Sequence, residues 1–301
     1  MSLKEFKKKV APYIVDVGHV PLLKETILYS LFAERLHSLI ISPPSVGAKS
    51  SMRFFLERVS PNFVYIASGG WTRKVGIADA IIQMNRGIAF FDEIQRATSD
   101  ELQILYDILQ FQIIKRTIHK INKEYPADVN IIATANPVGF DGNWKNYGNI
   151  EIMREQITIE KSLLRRFHII ICMDNYKLNE FDKVIKKKDK ISFSDDELKE
   201  LEEFRKYIIR ALTIDPEYKV PSFVYNFLHN LKSFDRYVLF PVTPELKDGI
   251  INTAIARARI DLSPKVKSEH WDDVIKFYFN VLKTSGLRED LIRQKFMKGV
   301  K

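Results

Sequence analysis

Two adjacent carboxylates at the end of an apolar run, Asp92 and Glu93, have the clearest chemical potential in this 301-residue sequence. The run before them, residues 87–91, is short, apolar and opened by a glycine, which is typical of a buried strand. Burying a carboxylate is costly unless it is paired or holds a cation. A strand that runs out into a charged surface turn also explains the pair, so these acids alone leave both interpretations open.

A second stretch supplies what such a carboxylate pair needs. Residues 39–50 predict an apolar strand, a turn with proline and glycine, and a helix that opens with Lys49 and Ser50. A phosphate-binding loop has this layout, in which backbone N–H groups and lysine hold phosphate oxygens and serine binds magnesium. In such a site Asp92 would hold the same magnesium, and Glu93 would polarise the attacking water.

Two further stretches follow in chain order. Residues 130–137 predict a strand that ends in the amide of Asn136, and residues 161–167 place Arg165 and Arg166 just before another apolar strand. Four stretches of these types in this order are far more specific than any one of them. The sequence therefore predicts a nucleotide site assembled from separate elements of an α/β fold.

The motifs resemble those of the AAA+ ATPases and, among them, the ATPase core of the minichromosome maintenance (MCM) helicases, over nearly the whole chain. The Ala48-Lys49-Ser50 triplet matches the Ala-Lys-Ser that MCM proteins carry in the phosphate loop, or Walker A motif. Residues 87–93 match the Walker B strand. This resemblance implies ATP and Mg²⁺ as cofactors.

The same resemblance assigns roles to two further side chains. Residues 133–137 match the sensor 1 motif, and residues 164–167 resemble the arginine-finger segment. Carried over position by position, Asn136 is the sensor and Arg166 is the finger. Together with Glu93, they are the candidate catalytic residues.

A basic hairpin is predicted just before sensor 1, because strand-like alternation over residues 113–126 flanks a polar tip. It resembles the pre-sensor hairpin of MCM proteins, whose tip lysine touches DNA. The candidate nucleic-acid contacts are therefore Lys120 and Lys123. An ordinary solvated hairpin with surface lysines is the alternative interpretation.

The phosphate loop departs from the family pattern, because Pro43 and Val46 stand where the family normally has glycine. Glycine allows positive φ and lets the backbone approach phosphate closely. Gly47, one position later than expected, is the candidate for that role. The predicted nucleotide-binding residues of the loop are thus Gly47, Ala48, Lys49 and Ser50.

Two more departures lie outside the loop. The segment 72–85 has no room for the long channel hairpin that MCM proteins insert there. Glu245 follows Thr243-Pro244 at the position where MCM proteins carry the sensor 2 arginine. The nearest substitutes, none of which matches the motif, are Lys247, Arg257 and Arg259.

The predicted architecture is an AAA+ P-loop sandwich with a parallel five-stranded sheet, in the family order 5-1-4-3-2, and a C-terminal α-helical lid. Residues 1–180 are predicted to form the nucleotide-binding domain and residues 181–301 the lid. The basic lead-in, residues 1–19, is too short to be the DNA-binding N-terminal domain of MCM helicases. Residues 138–156, rich in glycine, asparagine and aromatic residues, predict a loop.

Composition narrows the class of partner and compartment. A net charge of +9 makes an anionic partner plausible, although it also serves solubility. The single cysteine, Cys172, lies in an apolar strand and predicts a core residue in a reducing compartment such as the cytoplasm. No apolar run is long enough to span a bilayer. The 6 histidines lack ligand-like spacing, so no metal site of their own is predicted.

The leading functional prediction is an ATP-driven, MCM-like motor on DNA. The resemblance implies a homo-oligomeric ring, a hexamer, in which Arg166 reaches the γ-phosphate of the neighbouring subunit. The alternatives are a MoxR-like remodeller of protein substrates and a degenerate switch that binds nucleotide with little turnover. The hairpin lysines and the net charge favour DNA, whereas the missing insert and N-terminal domain favour protein remodelling.

Overall fold

A central parallel sheet organises the chain, whose computed structural model describes residues 5, 20–44, 46, 49–69, 74–84, 86–118, 121–177, 193–233 and 238–286. Its strands, together with those of a separate hairpin, are β1 (Ser38–Ile41), β2 (Phe63–Ala67), β3 (Gly87–Asp92), β4 (Ile113–Ile118), β5 (Ile121–Pro126), β6 (Val129–Ala135) and β7 (Ile169–Cys172). The five-stranded sheet has the order β2-β3-β6-β1-β7 and is parallel throughout. The predicted parallel sheet of five strands is therefore confirmed.

The central strands are buried on both faces, which explains their continuous apolar sequences. Every residue of β1, β6 and β7 is buried. Parallel strands covered by helices on both sides read as unbroken apolar runs rather than as alternating ones. Neighbouring residues therefore serve different cores: Phe90 packs into the core on one face of the sheet, and Phe91 into the core on the other.

Helices cover both faces of the sheet. Their bounds are α1 (Val20–Phe32), α2 (Lys49–Val59), α3 (Lys74–Ile82), α4 (Ser99–Phe111), α5 (Ile150–Glu155), α6 (Lys161–Leu164), α7 (Asp195–Leu212), α8 (Ser222–Lys232), α9 (Pro244–Ile260) and α10 (Ser268–Thr284). On one face, α1 and α2 share a core with α7 to α10. On the other face, α3 and α4 pack with the apolar residues around α5 and α6.

Two helix starts are fixed by capping boxes, in which a hydroxyl residue is followed by glutamate three positions later. The Thr98 hydroxyl accepts from the Glu101 N–H, and the Glu101 carboxylate accepts from the Thr98 N–H at 2.7 Å. Ser194 and Glu197 make the same reciprocal pair at the start of α7. Each box satisfies backbone donors that have no partner within the helix.

The predicted loop over residues 138–156 is wrong in its last part, where α5 lies. The Asn149 side chain caps this helix by accepting from the Ile152 N–H, and Met153 is fully buried beneath it. One short turn of helix anchored by one apolar side chain leaves too weak a periodic signal to outweigh the surrounding glycine and asparagine residues.

The predicted hairpin is present as a separate antiparallel pair, β4 and β5. It begins directly after α4, where Gln112 takes a left-handed conformation that ends the helix. Its second strand ends at Pro126, and Val129 then opens β6. The hairpin is thus joined by a short connection to the strand that delivers Asn136.

The C-terminal helices are packed against α1 as well as against each other. Arg259 of α9 is only 1% exposed and donates to the carbonyls of Ile214 and Phe32 and to Glu34, the last at 2.6 Å. The predicted domain boundary at residue 180 lies outside the described residues, as does nearly all of the lead-in. None of the described helices is long and apolar enough to cross a membrane.

A stacked pair of buried histidines, His37 and His168, lies immediately before β1 and β7. The rings of His37 and His168 lie 5.1 Å apart, and both side chains are almost wholly buried. The His168 Nδ1 accepts from the His37 N–H at 2.9 Å, and the His37 Nδ1 accepts from the Ile131 N–H at 3.2 Å. Burial holds the pKa of His37 well below its ordinary value and lowers that of His168 to about 3.

This pair should make the protein less stable in mild acid. Both histidines stay neutral when folded, whereas an unfolded histidine takes up a proton below about pH 6.5. The unfolded state therefore binds more protons as the pH falls, and each histidine should cost about 1.4 kcal/mol of unfolding free energy per pH unit below that point. Urea unfolding at pH 7.5 and 5.0 should show a smaller difference for His168→Asn than for the unchanged protein. The exposed His229→Asn serves as the control, and equal pH dependence in all three proteins would contradict the prediction.

Candidate functional site

Three predicted site residues are joined by hydrogen bonds at one edge of the sheet. Strands β1, β6 and β3 are parallel neighbours, so the residues that follow their carboxyl ends meet there. The Lys49 Nζ donates to the Asn136 Oδ1 at 2.5 Å, and the Asn136 Nδ2 donates to the Glu93 Oε1 at 3.1 Å. In open parallel α/β sheets, ligands bind outside the carboxyl ends of the strands, which is where these three side chains lie.

Asp92, the fourth residue at this edge, is held by neutral donors. The Tyr65 hydroxyl donates to its Oδ2 at 3.0 Å, and the Thr134 hydroxyl donates to its Oδ1. Asp92 makes no ion pair with any residue that the structure describes. Burial and the neighbouring Asp92 raise the pKa of Tyr65, so the phenol stays a donor. The carboxylate is therefore oriented while its charge remains available to a cation.

Glu93 directly follows β3 and has a left-handed backbone conformation, at φ 54° and ψ 51°. A residue with a side chain pays for this conformation, so neighbouring contacts must hold it. The Glu93 N–H donates to the Thr134 hydroxyl at 3.0 Å, and its second carboxylate oxygen pairs with Arg96 at 2.9 Å. Both oxygens of Glu93 therefore have partners, one on Asn136 and one on Arg96.

Thr134 is a site residue that sequence reasoning did not assign, and its replacement tests the geometry. Its hydroxyl donates to Asp92 and accepts from the Glu93 N–H. Thr134→Val keeps the shape but leaves the Glu93 N–H without its acceptor, so we expect a loss of about 1–3 kcal/mol in unfolding free energy. Thr134→Ser keeps the hydroxyl and should lose clearly less. Urea unfolding compares the two variants, and equal stabilities would show that the hydroxyl bonds contribute nothing.

Lys49 and Ser50 open α2 beside this network. Burial lowers the pKa of Lys49, while the charges of Asp92 and Glu93 act in the opposite direction. The Ser50 side chain is exposed in the first turn of the helix, where backbone N–H groups have no helical partner. The helix start thus places an amine, a hydroxyl and backbone N–H groups without a partner in the helix close together.

The loop before Lys49 closes on itself at the positions that depart from the glycine pattern. The Val46 N–H donates to the Pro43 carbonyl at 3.2 Å, and the Ser42 hydroxyl donates to the Val46 carbonyl at 3.2 Å. The Val46 side chain is buried in the core shared with α1. This N–H is therefore committed to the loop. The other two predicted loop residues, Gly47 and Ala48, lie outside the described part of the chain.

The donor set fits ATP with magnesium. Lys49 and the start of α2 suit phosphate oxygens, and the Ser50 hydroxyl and Asp92 carboxylate are oxygen ligands of the kind that magnesium takes. Asp92 has the further property that only neutral groups hold it among the described residues. Bound with ATP, magnesium would neutralise charge on the phosphates.

Arg166, the predicted finger, lies at the other edge of the sheet from Lys49. Strand β7 runs parallel to β1, with Ser38 opposite Ile169, and Arg166 precedes that start while Lys49 follows the strand's end. The structure therefore does not bring Arg166 to the Lys49 network of its own chain.

Arg166 is instead paired within the chain. Its Nη1 donates to the Glu245 Oε1 at 2.6 Å, and its guanidinium lies 5.8 Å from the ring centre of Tyr106. Hydrogen bonding with Tyr106, together with the charge of Glu245, raises the pKa of Arg166. Glu245 is the residue that replaces the expected sensor 2 arginine. The replacement is visible in the sequence, but this contact is not, because it joins residues 79 positions apart.

The suggested substitutes for the sensor 2 arginine are occupied elsewhere. Arg257 bonds Asp261 at 2.6 Å and Asp273 at 3.0 Å. Arg259 is buried in its contacts with α1, and the Lys247 Nζ lies 5.6 Å from the ring centre of Tyr225. For Arg257 and Arg259, the contacts are those of a structural residue.

One of the two lysines predicted to contact nucleic acid, Lys123, lies in the described part of the hairpin. Lys123 is exposed on β5 and lies directly across from Arg116, which is tied to Asp79 of α3 by an ion pair. Lys123 makes no ion pair with another described residue. Lys120 lies outside the described residues. The exposed lysine therefore belongs to a hairpin that a salt bridge holds against α3.

One group of side chains has the spacing of metal ligands, although no ligand pattern is visible along the sequence. Ligand atoms of Asp261, Glu269 and His270 lie within 4.8 Å of one another. The His270 Nδ1 accepts from the Lys267 N–H at 3.1 Å, so the ring's proton lies on Nε2. Asp261 already accepts from Arg257. These internal bonds account for the cluster.

Comparison with known proteins gives one family. Residues 24–189 match the family model for the MCM P-loop domain. The chain is 22% identical over 299 residues to the zygotic DNA replication licensing factor mcm6 of Xenopus tropicalis, covering 90% of this chain and 35% of that protein. It is 26% identical over 153 residues to the minichromosome maintenance protein MCM of Saccharolobus solfataricus, covering 46% of this chain and 21% of that protein.

A third relative is the DNA helicase MCM8 of Gallus gallus, 27% identical over 155 residues, with 46% of this chain and 18% of that protein covered. This chain thus spans about a third of the length of the first relative and about a fifth of the other two. The family model covers more than half of the chain and includes Lys49, Asp92, Glu93, Asn136 and Arg166. The chain therefore belongs to the MCM family, whose P-loop domain it contains.

Proposed function

We propose that this chain is an MCM-like motor that binds and hydrolyses ATP and acts on DNA. The observation that carries the proposal is the line of hydrogen bonds from Lys49 through Asn136 to Glu93, beside the oriented carboxylate of Asp92. In this proposal Lys49 binds phosphate, Ser50 and Asp92 hold magnesium, and Glu93 polarises the attacking water.

Asn136 has a defined part in this scheme. It accepts from Lys49 and donates to Glu93, so movement of the Lys49 amine towards phosphate would lengthen its hydrogen bond to the Asn136 Oδ1. We expect phosphate binding to reorient the amide and with it the hydrogen bond to Glu93. Binding or hydrolysis of the nucleotide would then change the conformation of Asn136 at the end of β6, the strand that follows the hairpin.

The proposed assembly is a homo-oligomeric ring, as a hexamer, with ATP held between subunits. Its support is the position of Arg166 at the edge of the sheet opposite Lys49. A finger placed there can serve a nucleotide only if a second subunit presents one. Head-to-tail contacts of this kind close into rings when the rotation between subunits allows it.

DNA is the proposed partner because the exposed Lys123 lies on a hairpin that leads directly into the Asn136 strand. The names of two relatives describe DNA replication licensing and DNA helicase proteins. The first experiment is the steady-state ATPase rate with no DNA, with single-stranded DNA and with double-stranded DNA. We expect stimulation by at least one form.

A charge-matched pair of variants tests the hairpin. Replacing Lys120 and Lys123 with alanine should weaken binding to all DNA sequences alike. It should also lower the slope of log binding constant against log salt concentration by about two units. Basal ATPase should stay unchanged. The control replaces two exposed lysines of α7, Lys199 and Lys206, with alanine and removes the same charge. If both double variants bind DNA equally, the hairpin is not the contact; if the unchanged protein neither binds DNA nor is stimulated by it, protein remodelling becomes the better proposal.

A further inference from the structure

The ion pair between Arg166 and Glu245 stands apart from the other salt bridges because it occupies the proposed finger. The two side chains are 28% and 24% exposed and 2.6 Å apart. One partner precedes β7, and the other lies in the first turn of α9. The inference drawn from this pair rests on the proposed function, in which Arg166 acts on the nucleotide of a neighbouring subunit.

The contact with Glu245 occupies part of the Arg166 guanidinium and offsets its charge. Nη1 donates to Glu245, the guanidinium lies 5.8 Å from the ring centre of Tyr106, and the Nε is buried without a partner among the described residues. A finger stabilises the transition state by bringing uncompensated positive charge to the γ-phosphate. A carboxylate at 2.6 Å offsets that charge and would itself lie close to the incoming phosphate, which repels it.

Glu245 has a simpler role available to it as well. A carboxylate in the first turn of a helix interacts favourably with the positive end of the helix dipole. This interaction with the helix dipole does not require that Glu245 contact Arg166. The chain offers a comparison, because Asp248 lies on the same helix, is exposed and does not contact Arg166.

We propose that Glu245 is a positioning residue that holds Arg166 on its own chain, so that a neighbouring subunit's nucleotide must displace this carboxylate before the finger can act. The contact is then an internal brake on hydrolysis that the assembled interface releases. We expect the Arg166–Glu245 ion pair to slow hydrolysis only modestly, because both side chains are partly exposed and ion pairs of this kind are weak in water.

The test is the ATPase of Glu245→Gln. We expect kcat to rise about fivefold, the upper range for a partly exposed ion pair, with KM for ATP unchanged because Lys49 is untouched. Asp248→Asn removes the same charge from the same helix and should leave kcat as it was. The double variant Arg166→Ala/Glu245→Gln should match Arg166→Ala, because without the guanidinium there is nothing to release.

Two further measurements make the result decisive. A double-mutant cycle on unfolding free energy tests whether Arg166 and Glu245 interact in solution, and no coupling would overturn the proposal. Binding of a fluorescent ATP analogue tests the proposed function separately. If the analogue binds and Glu245→Gln is no faster than the unchanged protein, the brake is refuted while the ATPase stands. A fall in kcat would show that Glu245 aids the finger, and absence of binding would overturn both proposals.

Discussion

Replacing Glu93 with glutamine should reduce ATP hydrolysis about a hundredfold or more, the range for loss of a general base. Nucleotide binding should remain, because Lys49 and Asp92 are untouched and glutamine can still accept from the Asn136 amide. The amide cannot take up a proton from water as a carboxylate does. Steady-state ATPase and calorimetric ATP binding, measured on the same preparation, separate the two effects.

Lys49→Ala is the contrasting control, since this variant should lose ATP binding and not only hydrolysis. The variant removes the amine that the structure bonds to Asn136, and with it the main cation for phosphate. A Glu93→Gln protein that hydrolyses ATP at the original rate would show that another residue activates the water. A Lys49→Ala protein that binds ATP normally would move the nucleotide site elsewhere.

Mixing two inactive variants should restore hydrolysis. In a ring, Arg166→Ala lacks the finger but keeps Glu93, whereas Glu93→Gln keeps the finger. An equal, random mixture should recover up to about one quarter of full activity, because one head-to-tail interface in four then combines an intact Glu93 with an intact Arg166. The measurement is ATPase rate against mixing ratio.

Arg165 provides the matched control for this experiment. It neighbours Arg166, is exposed, and has no contact with Glu245. Arg165→Ala should therefore stay active alone and need no rescue. If Arg166→Ala and Glu93→Gln subunits are shown to assemble together and still do not recover activity, Arg166 does not act across an interface.

The sheet and the position of the site could be predicted because their signals are local. Strand β3 is an apolar run that ends in Asp92, and parallel topology then dictates that such ends meet at one edge. The Thr98 and Ser194 capping boxes are likewise written within four consecutive residues each. Patterns of this kind need no knowledge of what packs against them.

The details that govern the chemistry depend on strand register and distant contacts, which single-sequence patterns do not carry. Tyr65 reaches Asp92 only because β2 lies beside β3 in one register. Thr134 bridges both carboxylate residues from a third strand. The Val46 N–H bonds the Pro43 carbonyl within the loop while the Val46 side chain packs into the core, and that packing depends on distant residues. Such features belong to tertiary structure, where the energy of a residue is set by its neighbours.

The burial of Arg259 against α1 has a mechanical consequence. The guanidinium ties α9 to the last carbonyl of α1 and to Glu34, while Tyr29 of α1 packs edge-on against Phe277 of α10 at 5.0 Å. Helices that complete each other's apolar core are expected to open together rather than singly. The C-terminal helices therefore cannot rotate independently during a catalytic cycle: any large rotation of α9 and α10 must carry α1 with it, and must disturb the packing of α1 on the inner strands β3 and β6.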